Sequence, residues 1–307
     1  MTGIRVRGLS KGYGNAPALQ NVSFDCPVGQ ITGLVGPNGS GKTSILRLLS
    51  ALSPSHLGTA TFDGRRYLDL ETPGLEVGML LDASAHHPGR SVEETVRIAG
   101  ITIGLGRRRI REVLETMGLS AVGRRRFGTL SLGMKQRVGL AIAVLGHPRY
   151  LLLDEPVNGL DIEAIRWLRE FLISFCRHDG GTVLISSHLL RELESYADRV
   201  VILSRGRVVV EESMVALRSM GRCEVVADDA TRLQTVLTQR SINWSPSAGG
   251  ARTAVDADSR MVAELAMEHG VLVTELVPGG VGLLERLYMS VASSEFPATT
   301  GWERSEC

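Results

Sequence analysis

Residues 36–43 read Gly36-Pro37-Asn38-Gly39-Ser40-Gly41-Lys42-Thr43, setting three glycines, a lysine and a hydroxyl where a nucleoside triphosphate needs backbone donors, a cation and a magnesium ligand. Gly36, Gly39 and Gly41 permit backbone conformations that a side chain would obstruct, so consecutive N–H groups can converge on phosphate oxygens. Lys42 is placed to reach the β- and γ-phosphates, and Thr43 to offer its hydroxyl to Mg2+. The run Gln30–Val35 before the loop reads as a buried strand, and Ser44–Leu49 after it carries apolar residues at helical spacing. Strand, glycine loop and helix together aim the positive end of a helix at the phosphates.

A second chemical signal is Tyr150-Leu151-Leu152-Leu153-Asp154-Glu155-Pro156, an apolar strand that ends in two acids. Burial accounts for the leucines but not for the acids. By itself an acid pair at a strand end also reads as the start of a turn. Downstream of a phosphate loop, Asp154 reads as a holder of the Mg2+ shell and Glu155 as the acceptor of a proton from attacking water. Between the two lies Leu130-Ser131-Leu132-Gly133-Met134-Lys135-Gln136-Arg137. Ser131 there would cap a helix whose N-terminus suits a phosphate, and Gly133 would permit close backbone approach; a serine-capped helix is the plainer alternative.

These residues must be positioned by the elements around them. Ile4–Arg7, Val22–Phe24 and Gln30–Val35 read as strands, with turns at Gly12-Tyr13-Gly14 and Pro27-Val28-Gly29. A helix-rich stretch runs from about Val92 to Leu145, where Val113, Leu114, Met117 and then Val138, Ala141, Ile142, Leu145 keep a helical stripe. Strands return at Tyr150–Leu153, Thr182–Ser186 and Val200–Ser204, around an amphipathic helix marked by Ile165, Leu168, Leu172 and Phe175. The alternation predicts an α/β domain with a parallel sheet covered on both faces over residues 1–212, and a helical subdomain over about 90–147. Residues 213–292 read as a small α+β unit in the order βαββαβ, a ferredoxin-like split unit whose middle strands flank Ser247-Ala248-Gly249-Gly250. A final helix is expected over Val281–Val291, and the Ser/Thr/Glu-rich residues 293–307 read as disordered.

A length of 307 residues accommodates two domains, and a net charge of +1 with both signs spread along the chain argues for no nucleic-acid partner. Cys26, Cys176, Cys223 and Cys307 form no CxxC pair, which excludes a recognisable zinc or redox motif and fits a reducing cytosol. The opening residues lack a signal-peptide core, and no apolar run approaches the ~20 residues needed to span a bilayer, so membrane work is expected to go through a partner. Arg107-Arg108-Arg109 and Arg124-Arg125-Arg126 read either as solvated faces or as contacts to an acidic permease segment or anionic headgroups.

In chain order, the phosphate loop, Ser131-Leu132-Gly133-Met134 and the acid pair resemble the ATP-binding subunit of ABC transporters over nearly all of residues 3–212. The middle element resembles that family's LSGGQ signature, with Leu132 and Met134 replacing the usual Gly and Gln, a variant similar to the drug-export and peptide-antibiotic-resistance subfamily. The resemblance implies further roles: Tyr13, otherwise a core tyrosine, stacking on adenine; Asn158-Gly159-Leu160-Asp161, which reads also as an N-cap before the next helix, as the loop lining a dimer seam; and His188 contacting the γ-phosphate. At the family's glutamine loop this chain carries Asp82, which could bind the ion through water or repel phosphate. Gly280–Ser290 resembles the closing helix of the same subfamily.

By resemblance the chain is expected to bind ATP and Mg2+ and to act as an ATP-hydrolysing exporter motor. Two copies would sandwich nucleotide between the phosphate loop of one and Ser131 and Gly133 of the other, beneath separate membrane permease subunits at the inner face of the cell membrane. The alternative is a non-transport ATPase of the same family acting on ribosomes or DNA, whose paired cassettes or inserted coiled coil this chain lacks. A binding module without turnover, suggested by Asp82 and Leu132, is a third possibility. The C-terminal unit could serve dimerisation, regulation or capping of the core.

Overall fold

The computed structural model describes residues 3–14, 16–55, 57–219, 223–246, 252–277, 284, 285 and 288. It divides into two compact units, Met1–Leu189 with Ser195–Glu211, and Leu190–Glu194 with Glu212–Cys307.

In the first unit, β1 (Ile4–Tyr13) begins with buried Ile4 and Val6 alternating with exposed Arg5 and Arg7, the pattern of a strand with one wet face. It pairs antiparallel with β2 (Ala16–Cys26) on one side and with β4 (Leu57–Phe62) on the other. A second sheet begins with β3 (Ile31–Val35), every residue of which is buried, followed by the loop and α1 (Lys42–Leu49). Next come α2 (Pro73–Glu76), β5 (Val77–Leu80), and a helical lobe of α3 (Val92–Thr102), α4 (Arg107–Thr116) and α5 (Leu132–Ala143). The chain then returns to the sheet through β6 (Tyr150–Leu153), α6 (Ile162–Arg177), β7 (Thr182–Ser187), β8 (Arg199–Ser204) and β9 (Arg207–Ser213); between β7 and β8 runs α7 (Leu190–Glu194), which belongs to the second unit.

The six strands lie in the order β5-β6-β7-β3-β8-β9, and the pairs from β5 through β8 are parallel. The apolar runs within β3, β6, β7 and β8 follow from burial on both faces, where alternation has no use. Register then decides where the chemistry emerges. Val35 lies opposite Ser187, Leu153 opposite Ile185, and Leu80 opposite Leu153. The glycine loop after β3, the acids after β6 and His188 after β7 therefore leave the sheet at one carboxyl edge, where ligands bind in sheets of this kind.

The helical lobe has its own core, including Val92, Val96, Ile110, Leu114, Phe127 and Val138. Ser91 and Glu94 form a reciprocal capping box that starts α3. Arg109 donates from Nε to the carbonyl of Leu145 at 2.8 Å and from Nη2 to that of Val144 at 2.9 Å, satisfying carbonyls just beyond α5. The first arginine run is thus divided: Arg109 closes a helix end and Arg108 pairs with Glu112, while Arg124, Arg125 and Arg126 are all exposed.

Three strands escape the periodicity reading. Strand β5 has only four residues, and its Gly78 has no room for a side chain because a Cβ would lie 2.0 Å from the carbonyl oxygen of Ala143. Strand β4 is exposed over its first three residues and rich in small ones, so it shows no alternation. Strand β9 follows β8 through Arg205 (φ 45) and Gly206 (φ 74), a two-residue turn with both centres left-handed.

The second unit adds α8 (Met214–Ser219), β10 (Cys223–Ala227), α9 (Ala230–Gln239), β11 (Trp244–Pro246), β12 (Thr253–Val255), α10 (Ser259–Glu268) and β13 (Val273–Val277). Its antiparallel sheet runs β11-β12-β10-β13, the order of a split βαβ unit. Asp229 and Asp258 cap the two longer helices, which bury Leu233, Leu237, Val262 and Ala266 against Val225 and Val255. The Ser247–Gly250 turn and residues 293–307 lie outside the described residues, as does most of the expected Val281–Val291 helix. Within the described part of that helix, the Leu284 N–H donates to Glu194 Oε1 at 2.6 Å. No helix among the described residues is long and apolar enough to cross a membrane.

Candidate active site

The glycine loop is shaped by close approach. A Cβ on Gly36 would fall 2.4 Å from Ser40 Oγ and 2.5 Å from the carbonyl oxygen of Leu203. Gly39 (φ 82) and Gly41 (φ 109) take backbone angles that an L side chain resists, and Gly41 leads directly into α1 without a side-chain cap, leaving that helix's first N–H groups to other acceptors. Lys42 is 6% exposed, and its Nζ donates to the carbonyls of Gly36 at 2.8 Å and Pro37 at 3.3 Å. Ser40 is buried, yet its hydroxyl has no hydrogen-bond partner among the described residues. A buried lysine, an unpartnered buried hydroxyl and two positive-φ glycines together fit a phosphate chain. Pro37 is partly buried, Asn38 and Gly39 form the exposed lip, and Thr43 is exposed beside partly buried Ser44.

The acids meet this loop. Asp154 donates its N–H to the carbonyl of Leu80 at 2.8 Å, which ties the end of β6 to β5. Glu155 adopts a left-handed backbone, φ 46, a conformation that costs a non-glycine residue energy and is held here by side chains of β7 and its loop. Its Oε1 lies 3.6 Å from Lys42 Nζ. Its Oε2 accepts from His188 Nδ1–H at 2.7 Å and from the His188 backbone N–H at 3.3 Å. The Ser186 hydroxyl donates to Asp154 Oδ1 at 2.6 Å and accepts from the Glu155 N–H at 2.8 Å. Lys42, Asp154, Glu155 and His188 are therefore one connected cluster. Reasoning from residue types missed Ser186 as a member; its only signal was its place two residues before His188.

Tyr13 is half exposed at the end of β1, with Lys11 Nζ 5.3 Å from its ring centroid. A hydrogen bond with Ser44 is the main cause that lowers its phenol below the ordinary tyrosine value, and places the ring beside the helix that follows the loop. Asp82, two residues past β5, accepts from the Ser84 N–H at 2.7 Å, so one carboxylate oxygen serves its own turn.

The signature residues are built on different neighbours. Ser131 caps α5 by accepting from the Met134 N–H at 3.3 Å. Leu132 reaches Gly159, where a Cβ would come within 2.4 Å of Leu132 Cδ2, and Gly133 faces Leu160 and Ala164. Asp161 caps α6 by accepting from the Ala164 N–H at 2.8 Å. These contacts run to the Asn158–Asp161 turn and the start of α6, while Ser131 and Leu132 at the start of α5 are exposed.

Chemically, the cluster around Lys42 can place a cation against a phosphate chain and a carboxylate where water would approach. Thr43 and Asp154 are the residues that could hold Mg2+. No group of three or more His, Cys, Asp and Glu side chains that could hold a metal occurs among the described residues.

The family model described as ABC transporter matches residues 19–158. The lantibiotic transport ATP-binding protein SrtF of Streptococcus pyogenes is 34% identical over 209 residues, 68% of this chain and 90% of that protein. The bacitracin transport ATP-binding protein BcrA of Enterococcus faecalis is 34% identical over 221 residues, 71% of this chain and 72% of that protein. Among solved structures, the dimeric bacterial ABC transporter cassette MJ0796 is similar with a TM-score of 0.63 at 25% identity, covering 68% of this chain and 98% of that one.

Proposed function

Because this chain belongs to the ABC transporter ATP-binding proteins, and is an ATPase subunit of that family, we propose that it drives export of peptide antibiotics or similar amphiphilic compounds. Two relatives named for lantibiotic and bacitracin transport support that cargo class, and the Leu132 and Met134 variant of the signature agrees with it. The working unit is a pair of copies bound to separate permease subunits, peripheral at the inner face of the cell membrane.

The observation that carries the reading is Glu155 suspended between Lys42 and His188 at the mouth of the glycine loop. In the proposed cycle the Gly36–Ser44 segment cradles the phosphates with N–H groups and the Ser40 hydroxyl, while Lys42 contributes its charge. Thr43 and Asp154, with Asp82 at one remove, would hold Mg2+, which supplies charge neutralisation at the phosphate oxygens. Tyr13 stacks on the adenine ring. Glu155 accepts the proton of the attacking water, and the His188 Nδ1–H bond that orients Glu155 leaves Nε2 to face the γ-phosphate. Ser131, Leu132, Gly133 and Met134 of the second copy close the cage, and Asp161 stands at the seam. The exposed Ser131 and Leu132 at the start of α5 support this arrangement, because they leave that helix end open to a second copy.

Mixing two inactive variants tests it. Lys42→Ala and Ser131→Arg chains should each fail to trap ATP alone, whereas a mixture should recover trapping at the one site that combines an intact loop with an intact signature. A mixture as inactive as its components would contradict a shared site.

A further inference from the structure

We infer that Ser186 is a positioning residue for both acids: one buried hydroxyl fixes the Asp154 carboxylate for the metal and holds the Glu155 backbone in the conformation that presents its side chain to water. This inference rests on the ATPase reading and adds to it a residue from β7.

Ser186 is fully buried near the end of β7, opposite Leu34 of β3 and two residues before His188. Its hydroxyl can donate one hydrogen bond and accept others. The donor is spent on Asp154 Oδ1 at 2.6 Å, a short charge-assisted bond, and an acceptor site on the Glu155 N–H at 2.8 Å. Both distances span more than thirty residues of sequence, so neither bond is a local turn. The first removes one of two carboxylate oxygens of Asp154 from competition, so that the carboxylate meets an ion in one orientation. The second satisfies an N–H that the left-handed backbone of Glu155 (φ 46) would otherwise bury without a β-ladder partner. Because His188 lies on the same strand end and bonds Glu155 Oε2, backbone and carboxylate of Glu155 are both referenced to β7. The cluster thus has a common anchor, and Ser186 is the member that touches both acids while requiring no contact with nucleotide.

The demand is specific. Alanine removes both bonds, cysteine supplies only a weak donor and a longer reach, and threonine keeps the hydroxyl on a side chain suited to a strand. Losing a hydrogen bond to a charged group corresponds to about a ten- to hundredfold effect on the step that uses that charge.

The experiment uses the full chain and a fluorescent ATP analogue, titrated with and without Mg2+, with phosphate release measured in parallel. Ser186→Ala should raise the Mg2+ concentration for half-maximal nucleotide retention and lower turnover, each by roughly tenfold or more. Mg2+-free retention, which runs through Lys42 and the loop, should stay within about twofold of the parent because no bond to the nucleotide is removed. Ser186→Thr should restore the Mg2+ dependence. Should Thr fail to fold because of its added methyl, the Ala variant alone decides. An unshifted Mg2+ half-saturation in Ser186→Ala, whatever its turnover, overturns the proposal, since a serine that merely fills space would behave that way. If the parent chain itself retains no Mg2+-nucleotide and releases no phosphate, the ATPase reading fails first, and that outcome is seen without any variant.

Discussion

Glu155→Gln separates the two duties that the geometry gives this side chain. Glutamine keeps the length and one carbonyl oxygen, so the bond from His188 Nδ1–H, 2.7 Å in the parent, can persist; what disappears is the negative charge and the basicity. The charge faces Lys42 Nζ at 3.6 Å, a gross attraction of about 4–5 kcal/mol at an effective dielectric near 20. Little of that gross figure is at stake for binding, because Lys42 stays anchored to the carbonyls of Gly36 and Pro37 and gains the phosphates as counter-charge. ATP affinity should therefore be held or increased. Basicity is different: removing a positioned general base slows turnover by about 10²- to 10⁴-fold, or ~2.7–5.5 kcal/mol of barrier at 1.36 kcal/mol per decade. Phosphate release at saturating ATP measures the rate, and retention of a fluorescent ATP analogue measures binding. Turnover within about threefold of the parent, less than a single decade, would refute the assignment of Glu155 as base. A rate loss matched by an equal loss of ATP affinity would instead make Glu155 a scaffold for Lys42.

Gly78→Ala places a Cβ 2.0 Å from the carbonyl oxygen of Ala143 and 2.7 Å from Leu151 Cδ2, so β5 or the end of α5 must shift. At the ~2 kcal/mol typical of overpacking, and ~2–4 °C per kcal/mol for a domain of this size, the melting midpoint should fall by roughly 5 °C or more; an unchanged thermal melt would show that the close approach carries no weight. Burial pushes the thiols of Cys26 and Cys176 up to about 12 and that of Cys223 up to about 11, from an ordinary 9.0. Above pH 9 the unfolded chain releases thiol protons that the folded chain keeps, so stability that is full below that pH is lost as pH rises toward 11–12. Melts between pH 8 and pH 10.5 should show the decline, with a shallower one in Cys26→Ala, and these three thiols should resist a water-soluble thiol reagent until the chain unfolds.

Legibility in the sequence follows the distance over which each feature is determined. The glycine loop was readable because its demands are local: Gly39 and Gly41 need positive φ, and Lys42 must return to carbonyls five and six residues earlier. Capping was readable for the same reason, since Ser131 and Asp161 each satisfy an N–H three residues ahead. The buried strands β3, β6, β7 and β8 announced themselves by apolar runs, whereas β5 did not, because its four residues include a glycine demanded by Ala143 rather than by the strand. What no local pattern could supply is pairing across the sheet. Ser186 and Asp154 are brought together only when β6 and β7 adopt their parallel register, with Leu153 opposite Ile185. A serine in an apolar strand reads equally as filler, and nothing in Asp154-Glu155-Pro156 requires a left-handed residue, yet Glu155 has φ 46 with its N–H on that serine. Residue types declare which chemistry is possible; the two hydrogen bonds that tie Asp154 and Glu155 to one buried hydroxyl are set by strand order, which no local pattern contains.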